Sequence, residues 1–254
     1  MSSTDIFRLD GKRILITGAS AGLGAHFAEV LVNAGASVIL AGRRREQLEE
    51  TASKVRALGG EALISVVDVS KEDSVEAAFA AMPLPDVVIN NAGVHTEGAI
   101  HTLTEAQWQQ VMDINLKGAW LCTRAAIRGW LNEKRPGNVI NVASILGLRV
   151  QNQFPVYAAS KAALIQLTGS TALDYARFNI RANALCPGYF ATDLTREWLE
   201  KSAPGEKLRS RIPYRRAGEM SELNGALLLL ASDASSYMSG STVVVDGAHL
   251  RSTL

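Results

Sequence analysis

Along most of the chain, short and nearly continuous apolar runs alternate with stretches whose apolar residues recur every three or four positions. The runs fall at 13–17, 37–41, 62–67, 86–90, 138–142, 181–185 and 242–245. Apolar runs of this length, without strict in-out alternation, predict strands covered on both faces, as in parallel sheets. The stretches between most of them carry helical periodicity, so the pattern predicts a single α/β domain over 1–254: a doubly wound parallel sheet of about seven strands with helices on both faces. Two segments, 105–131 and 155–178, read as long helices. One stretch, 190–218, breaks the rhythm with Pro204, Gly205, Pro213 and dense charge, and long irregular inserts in compact domains serve as lids or binding loops.

Composition narrows the picture. With 47% apolar and 20% charged residues, the chain has the balance of an ordinary enzyme with a substantial core, and a formal charge of +1 offers no general attraction to nucleic acid or anionic membrane. Cys122 and Cys186 are the two cysteines. They form no disulfide framework or metal-site spacing; both read as small buried residues in a reducing compartment. The segment MSSTDIFRLDGK lacks the apolar core of a secretory leader, and no run approaches the roughly 18 apolar residues of a membrane span, so a cytoplasmic location is expected. Nothing resembles a linker or a repeat of solenoid period.

The chemistry begins after the first predicted strand, where Gly18, Gly22 and Gly24 surround Ser20 and Leu23 and lead into a helix-like stretch over 25–33. Glycines let a ligand approach the main chain, and free N–H groups at a helix start attract an anion such as a dinucleotide pyrophosphate. The spacing G-x-x-x-G-x-G differs from the G-x-G-x-x-G fingerprint. Further on, Tyr157 and Lys161 are four residues apart, on one face of a helix, with Ser144 upstream. A phenol with its ordinary pKa of about 10 is a poor base, and the Lys161 ammonium beside it is expected to favour phenolate, with Ser144 holding a substrate oxygen.

Taken together, Thr17-Gly18-x-x-x-Gly22-x-Gly24, Asn90-Asn91-Ala92-Gly93, Asn115, Ser144, Tyr157-x-x-x-Lys161 and Pro187-Gly188 resemble, in order and spacing, the short-chain dehydrogenase/reductase family over residues 10–247. The resemblance implies a Rossmann-like fold and an oxidoreductase that moves a hydride between nicotinamide and a carbonyl or secondary alcohol, with Tyr157 as acid/base. A 3-oxoacyl thioester and a sugar acid are among the substrates it admits. Asn115 would anchor a water linking Lys161 to solvent; Asn91, Ala92 and Gly93 would floor the cofactor; Asp68, followed by Val69, would meet the adenine. Pro187, Gly188 and Thr192 would bind the carboxamide. After the second strand, Gly42-Arg43 replaces the carboxylate that would bind a free ribose hydroxyl, and Arg43 can clasp a 2′-phosphate, which favours NADP(H) over NAD(H). Relatives that use NADP often carry a second basic residue just before the middle glycine, where this chain has Ala21.

His95, Arg149, Gln151, Asn152, Phe154 and Tyr189 lie beside these groups as candidate substrate contacts, whereas His26, His101 and His249 read as surface or helix positions. No metal is required. The family also implies a homotetramer, the two long helices pairing across a two-fold axis through surface that includes Trp108, Trp120 and Trp130, with a second interface near the C-terminus. The tail, 243–254, can either reach a neighbouring subunit or fray. An NAD(H)-dependent member, a cofactor-sensing regulator and an epimerase or lyase are the alternatives this fold also hosts.

Overall fold

The computed structural model describes residues 5–192 and 196–252. Its strands are β1 (Arg13–Thr17), β2 (Ser37–Gly42), β3 (Ala62–Val66), β4 (Val87–Asn90), β5 (Gly137–Val142), β6 (Ile180–Pro187), β7 (Phe190–Ala191), β8 (Gly218–Glu219) and β9 (Thr242–Val245). Seven form one sheet in the order β3-β2-β1-β4-β5-β6-β9, every neighbouring pair parallel. β7 and β8 make a separate short parallel pair. The predicted strands all occur, with ends displaced by no more than two residues.

The helices are α1 (Gly22–Asn33), α2 (Arg45–Ala57), α3 (Glu72–Ala81), α4 (Glu105–Met112), α5 (Gly118–Asn132), α6 (Pro155–Tyr175), α7 (Arg196–Lys201), α8 (Ala203–Arg211) and α9 (Asn224–Ala231). Alternate residues of each strand serve opposite layers. Ile14 and Ile16 of β1 pack with Phe27, Leu31, Leu48 and Leu227, whereas Leu15 between them packs with Leu121 and Trp130 on the other face. Parallel strands need crossovers, and crossovers of one hand bring every strand's carboxyl end to the same edge, where open α/β sheets bind ligands.

Three differences from the sequence reading matter for the site. The long helix expected over 105–131 is interrupted by a π turn, Asp113–Lys117, which joins α4 to α5 and carries Asn115. Trp130 is not surface: it is fully buried and donates its indole N–H to the Pro85 carbonyl at 2.7 Å. The stretch 190–218 is not irregular either, because α7 and α8 occupy much of it. Pro204 and Gly205, two of the residues that break the rhythm, sit in the first turn of α8, where a missing N–H costs nothing.

Candidate active site

At the end of β1 the chain turns through Gly18 at φ +67° and Gly22 at φ +55°, conformations that favour glycine. A Cβ on Gly24 would lie 2.3 Å from the Gly18 carbonyl oxygen, so the close return of α1 onto the turn requires glycine there as well. No side chain caps α1, whose N-cap is Ala21, and a Cβ on Gly22 would meet nothing. An open, uncapped helix start fits a pyrophosphate, whose oxygens would take the unused N–H groups.

Thr17 fastens this turn to the next strand. Its hydroxyl accepts from the Asn91 and Ala92 amides, both at 3.0 Å, while the Asn91 side chain donates to the Thr17 carbonyl at 2.9 Å. Beneath it, Asn90 donates to Thr123 and to Asn141, and Asn141 donates to Thr168 of α6. These buried bonds lock β4, β5, α5 and α6 together at their catalytic ends.

Beyond β2, Arg43 is exposed, and Arg44 donates to the Ser20 hydroxyl at 3.0 Å. The structure carries the Arg44 guanidinium to the glycine turn, on the side where Ala21 offers no charge. Asp68 forms a local turn by accepting from the Ser70 amide and hydroxyl. Burial raises its pKa, but those bonds and then the charges of Arg43 and Lys71 outweigh burial and hold it below the ordinary value. Val69 is buried, its side chain packed against Gly118.

Ser144 follows β5 directly, and its hydroxyl caps a short 3-10 turn by accepting from the Leu146 amide. Tyr157 lies in the first turn of α6, which opens on Pro155, and its side chain lines one cavity with that of Ser144. Lys161, one turn further along α6, is buried and donates from Nζ to the Val142 carbonyl at 2.7 Å. Its Nζ lies 5.8 Å from the centre of the Tyr157 ring.

Burial raises the Tyr157 pKa and outweighs the nearby Ser144 hydroxyl, which lowers it. The Lys161 ammonium, expected to favour phenolate, is here engaged by the Val142 carbonyl. The same desolvation pulls the Lys161 pKa from 10.5 to about 8.

Asn115, fully buried, accepts from the Val94 amide and donates to the Val94 carbonyl and to Ser160 Oγ. Ser160 in turn donates to the Tyr157 carbonyl at 2.7 Å. One side chain thus ties the segment after β4 to the first turn of α6.

Gly93, His95, Ser144, Tyr157, Lys161, Pro187 and Gly188 line a cavity of about 190 Å³, with Leu23 at its glycine-turn side. His95 stands edge-on to Tyr157, ring centres 6.3 Å apart, and 5.8 Å from Phe154. Tyr189 donates to Gln151 and stacks at a tilt 5.7 Å from His249. Arg149 departs from the expected substrate contact: its Nη1 donates to the His249 and Ser252 carbonyls. Asn152 is exposed, and the Thr192 carbonyl accepts from the amide of Arg196, the first residue of α7. As far as residue 252 the tail is held against Arg149; residues 253 and 254 lie outside the described residues. Thr17 was part of the family pattern but carried no role, and Arg44 and His249 were not among the expected site residues; the three successive arginines were the available signal for Arg44.

The geometry agrees with the relatives. A family model described as enoyl-(acyl carrier protein) reductase matches residues 18–248. The chain is 34% identical over 252 residues to gluconate 5-dehydrogenase of Gluconobacter oxydans, covering 97% of this chain and 98% of that protein. It is 34% identical over 244 residues to a 3-oxoacyl-(acyl-carrier-protein) reductase of Thermotoga maritima, covering 94% and 98%. A solved gluconate 5-dehydrogenase from Burkholderia cenocepacia, in complex with NADP and tartrate, superposes with a TM-score of 0.92 at 35% identity over 98% of this chain and 99% of that one. The chain belongs to the short-chain dehydrogenase/reductase family and is an oxidoreductase of that family.

Burying Lys161 has a measurable cost. Unfolded, the lysine keeps its proton to 10.5, whereas folded it loses it near 8, so the unfolded state binds more protons between those values and stability rises with pH across them. Below pH 8 the whole penalty stands. Lys161→Met is expected to raise unfolding free energy at pH 7 by about 2 kcal/mol, the relief of desolvation less the lost bond to Val142, while eliminating catalysis. Urea denaturation would show it, and a lower unfolding midpoint than wild type would contradict it.

Proposed function

We propose that the chain is an NADP(H)-dependent oxidoreductase that interconverts a carbonyl and a secondary alcohol, with Tyr157 as the acid/base. The observation that carries the reading is that Ser144 and Tyr157 line one cavity, with Lys161 buried behind the phenol. When bound, the nicotinamide supplies or accepts the hydride. The glycine turn and the start of α1 would hold its pyrophosphate, and Pro187 and Gly188 its carboxamide side.

In the direction of reduction, the neutral phenol donates its proton to the substrate oxygen while the Ser144 hydroxyl donates a hydrogen bond to that atom. The Lys161 ammonium stabilises the phenolate left behind. In oxidation the order reverses, and the phenol needs added positive charge to act as a base. Asn115 fixes the first turn of α6 so that Tyr157 and Ser144 keep their distance. Tyr157→Phe is expected to reduce kcat by a factor of ~10² to 10⁴ while NADPH still binds. Retention of a tenth or more of the wild-type rate would remove Tyr157 from the role.

Preference for the phosphorylated cofactor rests on Arg43, with Arg44 beside Ser20 as a second cation. Paired charge-assisted hydrogen bonds to a 2′-phosphate contribute about 3 kcal/mol, so NADPH should bind well over tenfold more tightly than NADH, and Arg43→Asp should reverse the order. Equal dissociation constants in the unmodified protein, measured by nucleotide fluorescence, would refute this.

The same reading makes the chain a cytoplasmic homotetramer. No helix among the described residues is long and apolar enough to cross a membrane. Trp108 and Trp120 along α4 and α5, and Leu173 and Phe178 along α6 and just past it, are each at least 40% exposed. Large apolar side chains on two neighbouring long helices suit burial against a second copy. Light scattering at micromolar concentration is expected to give four times the chain mass; a monomer mass with full activity would contradict the assembly.

A further inference from the structure

The end of the chain returns to the active site through a continuous set of contacts. Gly188 on the cavity wall donates its amide to the Val245 carbonyl at 2.8 Å, and a Cβ there would lie 2.8 Å from Asp246 Cα. Gly247, at φ +60°, is pressed against the residues that follow α8: a Cβ would meet Ile212 at 3.2 Å and Tyr214 at 3.3 Å. Ala248 holds φ +66°, an unfavourable conformation for a residue with a Cβ, which persists only where surroundings impose it.

What imposes it is a clamp. Arg149 Nη1 donates to the His249 carbonyl at 3.0 Å and to the Ser252 carbonyl and hydroxyl, each at 3.1 Å. The Leu250 amide donates to Asp246 Oδ2 at 2.6 Å, closing the turn from within. His249 is thereby laid beside Tyr189, whose phenol is tied to Gln151. One ring nitrogen of His249, Nδ1, is buried without a hydrogen-bond partner in the chain. A buried polar atom left unpaired is costly, a second strain beside that of Ala248 that the clamp must hold.

We infer that residues 246–252 form the outer wall of the chain's own substrate pocket, that Arg149 is the positioning residue that holds this wall, and that His249 selects substrates bearing a hydroxyl or carboxylate beyond the reacting carbonyl. This rests on the oxidoreductase reading for its substrate but not for the clamp itself. The His249 ring is kept neutral by burial, reinforced by the charges of Arg149 and Arg211 and opposed by Asp246. A neutral imidazole offers one donor and one acceptor, which suits a hydroxylated chain and gives a plain alkyl chain nothing.

The test compares wild type with Arg149→Met, Arg149→Lys and His249→Ala. Amide hydrogen exchange over 246–252 should quicken by about tenfold or more in Arg149→Met and recover only in part in Arg149→Lys, since an ammonium does not reproduce the guanidinium geometry. For reduction of six-carbon ketones, Arg149→Met should raise KM for a polyhydroxylated ketone by about tenfold with a much smaller change in kcat, while NADPH affinity holds. His249→Ala should lower kcat/KM for the polyhydroxylated ketone relative to 2-hexanone by about tenfold, with exchange over 246–252 unchanged. Unaltered exchange in Arg149→Met, or an unaltered ratio between the two ketones in His249→Ala, would overturn the inference. So would kcat, NADPH affinity and thermal midpoint falling together. If wild type reduced no carbonyl at all, the oxidoreductase reading would fail, while the exchange and NADPH measurements would still decide the clamp.

Discussion

Desolvation at the carboxyl edge of the sheet governs this site. A lysine and a tyrosine are taken out of water beside β5, and each is pushed toward its neutral form: the ammonium down to about 8, the phenol above its ordinary value. Burial without compensation would cost several kcal/mol per charge. Here the compensation is a single strong bond to the Val142 carbonyl, available because β5 ends just there and Ser144 follows. Two groups near the point of proton exchange can therefore be moved by a modest added charge, which is what an acid/base site requires.

Such a site works only if its members cannot drift, and buried hydrogen bonds supply the rigidity. The Thr17 hydroxyl fixes Asn91 and Ala92 against the glycine turn; the Asn90, Asn141 and Thr168 chain crosses from β4 to α6; Asn115 links the Val94 backbone to Ser160 and so to Tyr157. Each bond contributes about 1 kcal/mol net, but loss of one partner leaves a buried polar group unpaired and costs more. The π turn at 113–117 belongs to this scheme: it lies where Asn115 must face the active site within a helix otherwise devoted to the core.

Much of this was legible from residues alone. Strands buried on both faces announce themselves as apolar runs, and the glycine, serine, tyrosine and lysine positions carry spacing that one helix and one sheet edge impose. Other features depend on distant partners that no local pattern encodes. Trp130 belongs to the same apolar helical stretch as Trp108 and Trp120, yet it is fully buried and bonded to Pro85. Pro204 and Gly205 mark an irregular stretch by composition, yet the first turn of α8 takes them in. Arg149 and His249 are a hundred residues apart, and their meeting depends on β9 lying beside β6. The direction of the phenol's shift was also hidden, because sequence gives the neighbouring charge but not the depth of burial.

The central claim is that burial keeps Tyr157 a neutral proton donor until added positive charge releases its proton. Ultraviolet titration of phenolate in wild type minus Tyr157→Phe isolates this one phenol among the five tyrosines of the chain. In the free protein it should ionise above 10, and saturating NADP⁺ should lower that value. Ionisation below 10 in the free protein, or a value that NADP⁺ leaves unmoved, would contradict the account.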